Sequence, residues 1–305
     1  MDNRGSYEWQ TFSECNMCGT SVARARRLGR RLGRRQGWRP ARDADGISTV
    51  VYRCTGCGLV FANPMPLPGD VEQHYGIPAE DYWRESDLSP SDDYFAGQVH
   101  EFRRLYGRPG RVSALDIGAG VGKAMASLEE AGFDTFGLEP SSTFRERAIS
   151  QTGIAAERLE PNRIEDADYP AESFAFVTFG AVLEHLPDPG AAIVRALRWT
   201  APGGLIHIEV PSSDWLMARL VDLAYGLQRL DLTCHLSPLH VPFHLFEFTP
   251  SSFTRHAART GCEVACWRRY VGQTYAPRWA DAVLRPLMEA TRSGLQLEVW
   301  LRKAG

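Results

Sequence analysis

The sequence predicts an α/β fold: a seven-stranded, doubly wound, Rossmann-like sheet preceded by a small N-terminal unit. Three observations predict it. From residue 112 onward, short apolar runs alternate with helical patterns, as a mostly parallel sheet with crossover helices requires. A glycine-rich turn, Gly118-Ala119-Gly120-Val121-Gly122, joins the first of those runs to the first of those helices. Ahead of them stand two matched pairs, Cys15/Cys18 and Cys54/Cys57, each followed by glycine.

In chain order, residues 10–64 hold both cysteine pairs and end in the turn-rich exit Asn63-Pro64-Met65-Pro66-Leu67-Pro68. Residues 65–110 form an aromatic connecting segment that closes in a helix over about 92–106, stopped by Gly107 and Pro109. The large domain, 111–305, opens with strand 112–117 and helix 123–131, then strand 133–139 and helix 142–150. A short strand follows near 153–156, then strand 174–179, helix 190–200 and strand 205–210. Residues 211–248 are too long for a plain connection and read as a lid-like insertion with an apolar helix from Trp215 to Leu230. Helix 251–260, strand 263–270, helix 277–292 and strand 295–302 complete the seven strands.

Composition bounds the function. At 305 residues, 44% hydrophobic and 23% charged, the chain can bury an ordinary core and is not a disordered segment. It has no apolar run of about 18 residues and no basic-then-apolar start, so a cytoplasmic protein without a membrane partner is expected. The net charge of −3 hides a basic arm: residues 1–58 carry about +6, leaving −9 for the remainder, with nine arginines between Arg24 and Arg42. That arm suits phosphate contact. Lysine occurs only at Lys123 and Lys303, however, so the arginines reflect an overall bias, and the stretch 24–42 reads as a solvated connecting loop. Cys234, Cys262 and Cys266 read as small apolar side chains rather than as parts of a disulfide framework.

The glycine turn carries the chemistry. Its glycines allow a sharp turn and close approach of the backbone to a ligand. Its Gly-x-Gly-x-Gly spacing differs from the dinucleotide fingerprint, and Asp116 precedes it. A carboxylate there suits a cationic, amino-acid-bearing ligand better than a pyrophosphate. Glu139 ends the next strand, where a carboxylate can accept both hydroxyls of a ribose.

With these residues the chain resembles the class I S-adenosylmethionine-dependent methyltransferases over about 112–302. The resemblance is carried by Leu-Asp-Ile-Gly-Ala-Gly-Val-Gly at 115–122, Gly-Leu-Glu-Pro at 137–140 and Ser-Phe-Ala-Phe-Val at 173–177. Val-Leu-Glu-His-Leu-Pro-Asp-Pro at 182–189 and Ala-Pro-Gly-Gly at 201–204 extend it. It implies that Asp116, Gly118, Gly120, Gly122 and Gly180 surround the methionine part of S-adenosylmethionine, that Glu139 binds ribose and that Glu165 borders adenine. Ala175 departs from the family's usual aspartate, which bears on local packing.

Each cysteine pair makes a tight turn that presents two thiolates, and together Cys15, Cys18, Cys54 and Cys57 supply four ligands for a structural zinc ion. Neither pair lies at a strand-to-helix junction, which disfavours redox chemistry. The run 57–66, with Tyr75 and Asp81-Tyr82-Trp83, resembles a methyltransferase subfamily with an N-terminal zinc ribbon. That resemblance implies a small-molecule acceptor in sugar, cell-surface glycan or secondary-metabolite biosynthesis.

The acceptor is expected beyond the carboxyl ends of the strands. His240 and His244, in the run His235-x4-His240-x3-His244-x2-Glu247, are candidates for a base or hydrogen-bond donor, and their loop spacing gives no ground for a second metal. Glu184-His185 follows strand 174–179 close to the expected methyl group, with His185 as site support or alternative catalyst. An alcohol needs a base and a neutral amine less so; O-, N- and C-methylation all fit these motifs. An RNA methyltransferase gripping phosphate with ribbon and arginines is the alternative. The absence of an Asn-Pro-Pro-Tyr-type motif, with Phe179-Gly180-Ala181-Val182 in its place, weakens base N-methylation. A non-catalytic cofactor-binding scaffold is a third reading, opposed by the complete glycine turn and Glu139.

Overall fold

Alternating strands and helices bury apolar faces only by layering, and the computed structural model, which describes residues 7–32, 48–69, 94–236, 244–272, 274 and 276–305, has that arrangement. The strands in chain order are β1 (Tyr7–Gln10), β2 (Arg26–Leu32), β3 (Ser48–Arg53), β4 (Val60–Ala62) and β5 (Met65–Pro68). Then come β6 (Ser113–Ile117), β7 (Asp134–Leu138), β8 (Leu159–Glu160), β9 (Phe174–Gly180), β10 (Thr200–Pro211), β11 (Phe246–Glu247), β12 (Cys262–Tyr270) and β13 (Gln296–Lys303). The helices are α1 (Ala96–Tyr106), α2 (Lys123–Glu130), α3 (Ser142–Thr152), α4 (Pro189–Trp199), α5 (Leu216–Leu227), α6 (Pro250–Thr260) and α7 (Arg278–Ala290).

The seven-stranded sheet runs β12-β13-β10-β9-β6-β7-β8. Strands β8, β7, β6, β9 and β10 are parallel, whereas β13 is antiparallel to β10 and β12 to β13. The chain winds outward from β6 to β8, then returns to lay β9 on the other side of β6. That reversal opens a crevice at the carboxyl ends of β6 and β9. The central strands read as continuous apolar runs because both faces are covered: Phe176, Val177 and Phe179 are fully buried, as are Leu205, Ile206 and Ile208. Helix α4 shows the local logic. Asp188 caps it, its side chain accepting from the Ala191 N–H at 2.9 Å, and Pro189 occupies the first turn, where its missing N–H is not needed. Its Ile193, Ala196, Leu197 and Trp199 face the core.

A second, antiparallel sheet has the order β11-β4-β3-β2, and β1 pairs with β5. Strand β11 comes from the insertion after β10, with Phe246 opposite Phe61 and Glu247 opposite Val60. Cys15, Met17, Cys54, Cys57, Leu59 and Phe61 therefore share one apolar core with Ile117, Phe179 and Phe253.

Two expectations are corrected here. The third parallel strand lies at β8, not near 153–156: Gly153 is the left-handed cap of α3, Ile154 is buried, and a 3-10 turn over Ala156–Arg158 delays the strand. Part of the arginine-rich stretch is a strand rather than a loop, because the backbone of β2 pairs with β3 whatever its side chains, and Arg27 finds Asp231. Tyr75, Tyr82 and Trp83 lie outside the described residues. Among the described residues, no helix is long and apolar enough to cross a membrane.

Candidate active site and cysteine cluster

The carboxyl ends of β6, β7, β9 and β10 open on a cavity of about 680 Å³, lined by Ile117, Leu138, Gly180 and Val210 at the strand ends. Its first wall is the turn after β6. Gly118 has φ +72°, and a Cβ there would stand 2.5 Å from the Val182 side chain, so only glycine fits. The Gly118 and Ala119 N–H groups donate to the Leu138 carbonyl at 2.8 and 2.9 Å, which ties the turn to β7.

Glu139 follows β7, 5% exposed, and its two carboxylate oxygens accept from the Gly120 N–H at 2.7 Å and the Ser141 N–H at 2.8 Å. These donors fix the carboxylate at the cavity wall and leave each oxygen a further lone pair. Burial pushes its pKa up to about 7 against the pull of the two N–H donors. Asp116 is also pushed up to about 7, by burial first and then by the charge of Glu139. Beyond Glu139, Asn162 and Glu165 form the rim. Of the residues expected around the cofactor, Gly118, Gly120, Glu139, Glu165 and Gly180 line the cavity. Asp116 is buried beneath the turn, and Gly122 caps α2 on the far side.

The second wall brings together residues distant in sequence. After β9, a 3-10 turn over Leu183–His185 carries Glu184 inward, and the chain returning from the insertion brings His244 beside it. The His185 and His244 rings meet edge to face with centroids 5.0 Å apart. The Nε2 atom of each lies 4.0 Å from Glu184 Oε1. A backbone bond from the Leu245 N–H to the Glu184 carbonyl, 2.8 Å, locks the two segments in register. Burial pushes the Glu184 carboxyl up to about 8, and the nearby Glu209 charge adds to it. His240 lies outside the described residues. Glu247 does not line the cavity; it turns away to His235, whose Nδ1 is 2.5 Å from Glu247 Oε2.

Sequence reasoning missed Glu209 and Tyr270, which are hydrogen-bonded to each other in the cavity, and Glu8 and Leu67, which reach it from β1 and β5. Glu209 sits at the carboxyl end of a parallel strand, which is a usable signal; nothing local marks Glu8.

The four thiols Cys15, Cys18, Cys54 and Cys57 form a separate cluster with all sulfurs within 4.8 Å of one another. Cys15 and Cys57 Sγ are 3.6 Å apart, and Cys18 and Cys54 3.5 Å. Tetrahedral zinc with bonds of ~2.3 Å sets sulfurs ~3.8 Å apart, so the donor set fits that ion. Both turns have the same geometry: Gly19 and Gly58, at φ +71° and +80°, donate their N–H groups to the Cys15 and Cys54 carbonyls.

A doubly wound sheet with this glycine turn, followed by a carboxylate after the second strand, defines a class I S-adenosylmethionine-dependent methyltransferase. Residues 91–266, more than half of the chain, match a methyltransferase-domain family, and the chain belongs to it. It is similar to the ubiquinone biosynthesis O-methyltransferase of Pseudomonas aeruginosa UCBPP-PA14, 27% identical over 207 residues covering 65% of this chain and 84% of that one. The enzyme of the same name from Aliivibrio fischeri ES114 is 33% identical over 99 residues, 31% of this chain and 42% of that one. Among solved structures, an S-adenosylmethionine-dependent methyltransferase from Methanosarcina mazei aligns with a TM-score of 0.49 at 15% identity, covering 68% of this chain and 97% of that one.

Proposed function

We propose that this methyltransferase methylates an oxygen of a small organic acceptor, in secondary-metabolite, sugar or glycan biosynthesis. One observation carries the reading: a single cavity of about 680 Å³ joins the glycine turn and Glu139 to the corner of Glu184, His185 and His244. Its size falls in the range of about 300–1,000 Å³ usual for small-molecule sites. The O-methyltransferase relatives support oxygen as the acceptor atom.

The residues fit the cofactor. Glu139 retains lone pairs for two ribose hydroxyls, Gly118 and Gly120 let the backbone approach, and Glu165 stands at the adenine rim. The buried carboxylates Asp116 and Glu139 favour a cationic ligand. When bound, the cofactor supplies a methyl group already attached to a sulfonium leaving group. The chain's own work is then to align the acceptor with that methyl group, exclude water and remove the acceptor proton. His244 is the group we assign to that proton, with His185 supporting it. Cys15, Cys18, Cys54 and Cys57 hold a structural zinc ion in a ribbon over 10–64, joined through 65–110 to the catalytic domain 111–305 and its insertion 211–248.

The arginines of β2 favour a small acceptor over RNA. Arg27 is engaged by Asp231, Arg30 by the Ser48 hydroxyl, and Arg31 is buried. Methyl-labelled S-adenosylmethionine, offered with a panel of hydroxylated small molecules and with total RNA, tests the proposal. Label should appear in a small-molecule methyl ether; label confined to RNA contradicts it.

A further inference from the structure

We propose that Glu184, His185 and His244 bind a divalent first-row transition-metal ion, and that this ion grips the acceptor through two oxygens on adjacent carbons. The inference rests on the assignment of this corner to the acceptor and names the chemistry by which the corner recognises it. The three side chains offer two imidazole nitrogens and a carboxylate oxygen, all within 4.8 Å of one another. Two imidazoles and one carboxylate on one face of an ion, with positions left open opposite them, is a donor set suited to such metals. Bonds of ~2.1 Å place ligand atoms on one face ~3.0–3.4 Å apart, so the 4.0 Å separations from Glu184 close on an ion with side-chain adjustments of about 0.6–1 Å.

Glu184 supplies an independent reason. It is 2% exposed, it lines the cavity, and its Oε2 has no hydrogen-bond partner. A buried carboxylate oxygen without a donor is costly, and a cation in the cavity removes that cost. A neighbouring cluster shows the contrast. His207, Glu209 and Glu298 also bring three donor atoms together, but Arg268 pairs with Glu298, Tyr270 and Gln98 donate to Glu209, and Thr178 Oγ1 lies 2.8 Å from His207 Nδ1. That cluster already has its cation in Arg268, whereas Glu184 Oε2 has no donor among the described residues.

An ion held by three protein ligands has adjacent open positions, which a 1,2-diol, a catechol or an α-hydroxy acid fills as a chelate. Binding to the ion lowers the pKa of the acceptor hydroxyl, whose proton leaves to solvent, so with its imidazole on the ion His244 assists deprotonation through the metal and not as a free base. The oxygen lone pair then forms the O–CH3 bond while the S–CH3 bond breaks, its electron pair staying on sulfur. A monohydroxylated acceptor lacks the second donor and is held less well.

The test uses full-length protein with its cysteine sites loaded with zinc, and Mn²⁺ as the probe, because manganese does not displace zinc from thiolates. Electron paramagnetic resonance and calorimetric titration should show one Mn²⁺ per chain. Glu184→Gln and His244→Ala should each weaken it at least as much as loss of an outer-shell partner does, about 10–100-fold, whereas Glu165→Gln at the rim should not. S-adenosylmethionine titrated into each variant verifies the fold. Cofactor binding with no Mn²⁺ bound, or Mn²⁺ binding that survives both corner variants, overturns the metal site and leaves the cofactor assignment standing. Loss of cofactor binding in the parent protein overturns the assignment of the cavity, and the metal site falls with it.

Discussion

Glu139 has to be rigid and charged in a place that resists charge. The Gly120 and Ser141 N–H groups hold its carboxylate, while burial pushes its pKa up to about 7. Replacing it with alanine removes the proposed charge-assisted bonds to ribose at a total cost of roughly 1.5–3 kcal/mol, so S-adenosylmethionine affinity should fall about ten- to hundredfold by calorimetry. An unchanged affinity removes Glu139 from the ribose site. The raised carboxyls also set a pH dependence. A cationic ligand favours their ionised forms, so binding lowers their pKa values and releases protons. Affinity should therefore rise from pH 6 to pH 8, about tenfold per unit below the pKa of a single such group. Titrations in two buffers of unlike ionisation enthalpy should report the released protons; a flat profile without proton exchange contradicts the charge complementarity. Without ligand the sign reverses. The stability contributed by the neutral forms of Asp116, Glu139 and Glu184 is complete below the ordinary carboxylate range and is lost as pH rises through about 7 to 8.

Among the elements, helix α6 links the N-terminal turns to the large domain. The Thr249 hydroxyl accepts from the Ser252 N–H at 3.0 Å to cap the helix and donates to the Cys57 carbonyl at 2.6 Å. Thr249→Val removes both bonds and should cost about 2–4 kcal/mol in chemical denaturation. A loss below 1 kcal/mol would show that the capping box and the cysteine turn are held by other contacts. The sequence made most elements of the large domain legible, because the central strands are largely apolar and several helices end on a glycine, as α1, α3 and α6 do at Gly107, Gly153 and Gly261. Three features were hidden for physical reasons. Strand β2 is mostly arginine and depends on backbone pairing, β11 has only two residues, and the shift of β8 depends on a 3-10 turn with no sequence marker. The site was legible where the chain is locally patterned, at the glycine turn, Glu139 and the cysteine pairs. The meeting of Glu184 with His244 depends on a strand pairing across the whole chain and could not be read from spacing.

On the scale of the molecule, the cysteine turns are not an appendage. They share a core with the large sheet, and β11 of the insertion completes their own sheet. Arg53 also donates to the Ser213 carbonyl at 2.7 Å. Stripping zinc with a chelator, or making Cys57→Ser, should therefore lower one common thermal transition and weaken cofactor binding as well. Metal analysis should find about one zinc per chain in protein prepared without chelator. Two separate transitions, with the second unmoved by zinc, would mean that the parts fold independently. The same packing brings Glu8 and Leu67 to the cavity, so the N-terminal strands help to shape it.

The most direct test of the site is a crystal structure with S-adenosylhomocysteine. The ribose hydroxyls should lie on the Glu139 carboxylate, the homocysteine part against Gly118 and Gly120, and the sulfur should face the corner of Glu184, His185 and His244 across open cavity. Electron density for the ligand elsewhere, or a sulfur directed away from His185 and His244, would contradict the meeting of cofactor and acceptor in this cavity.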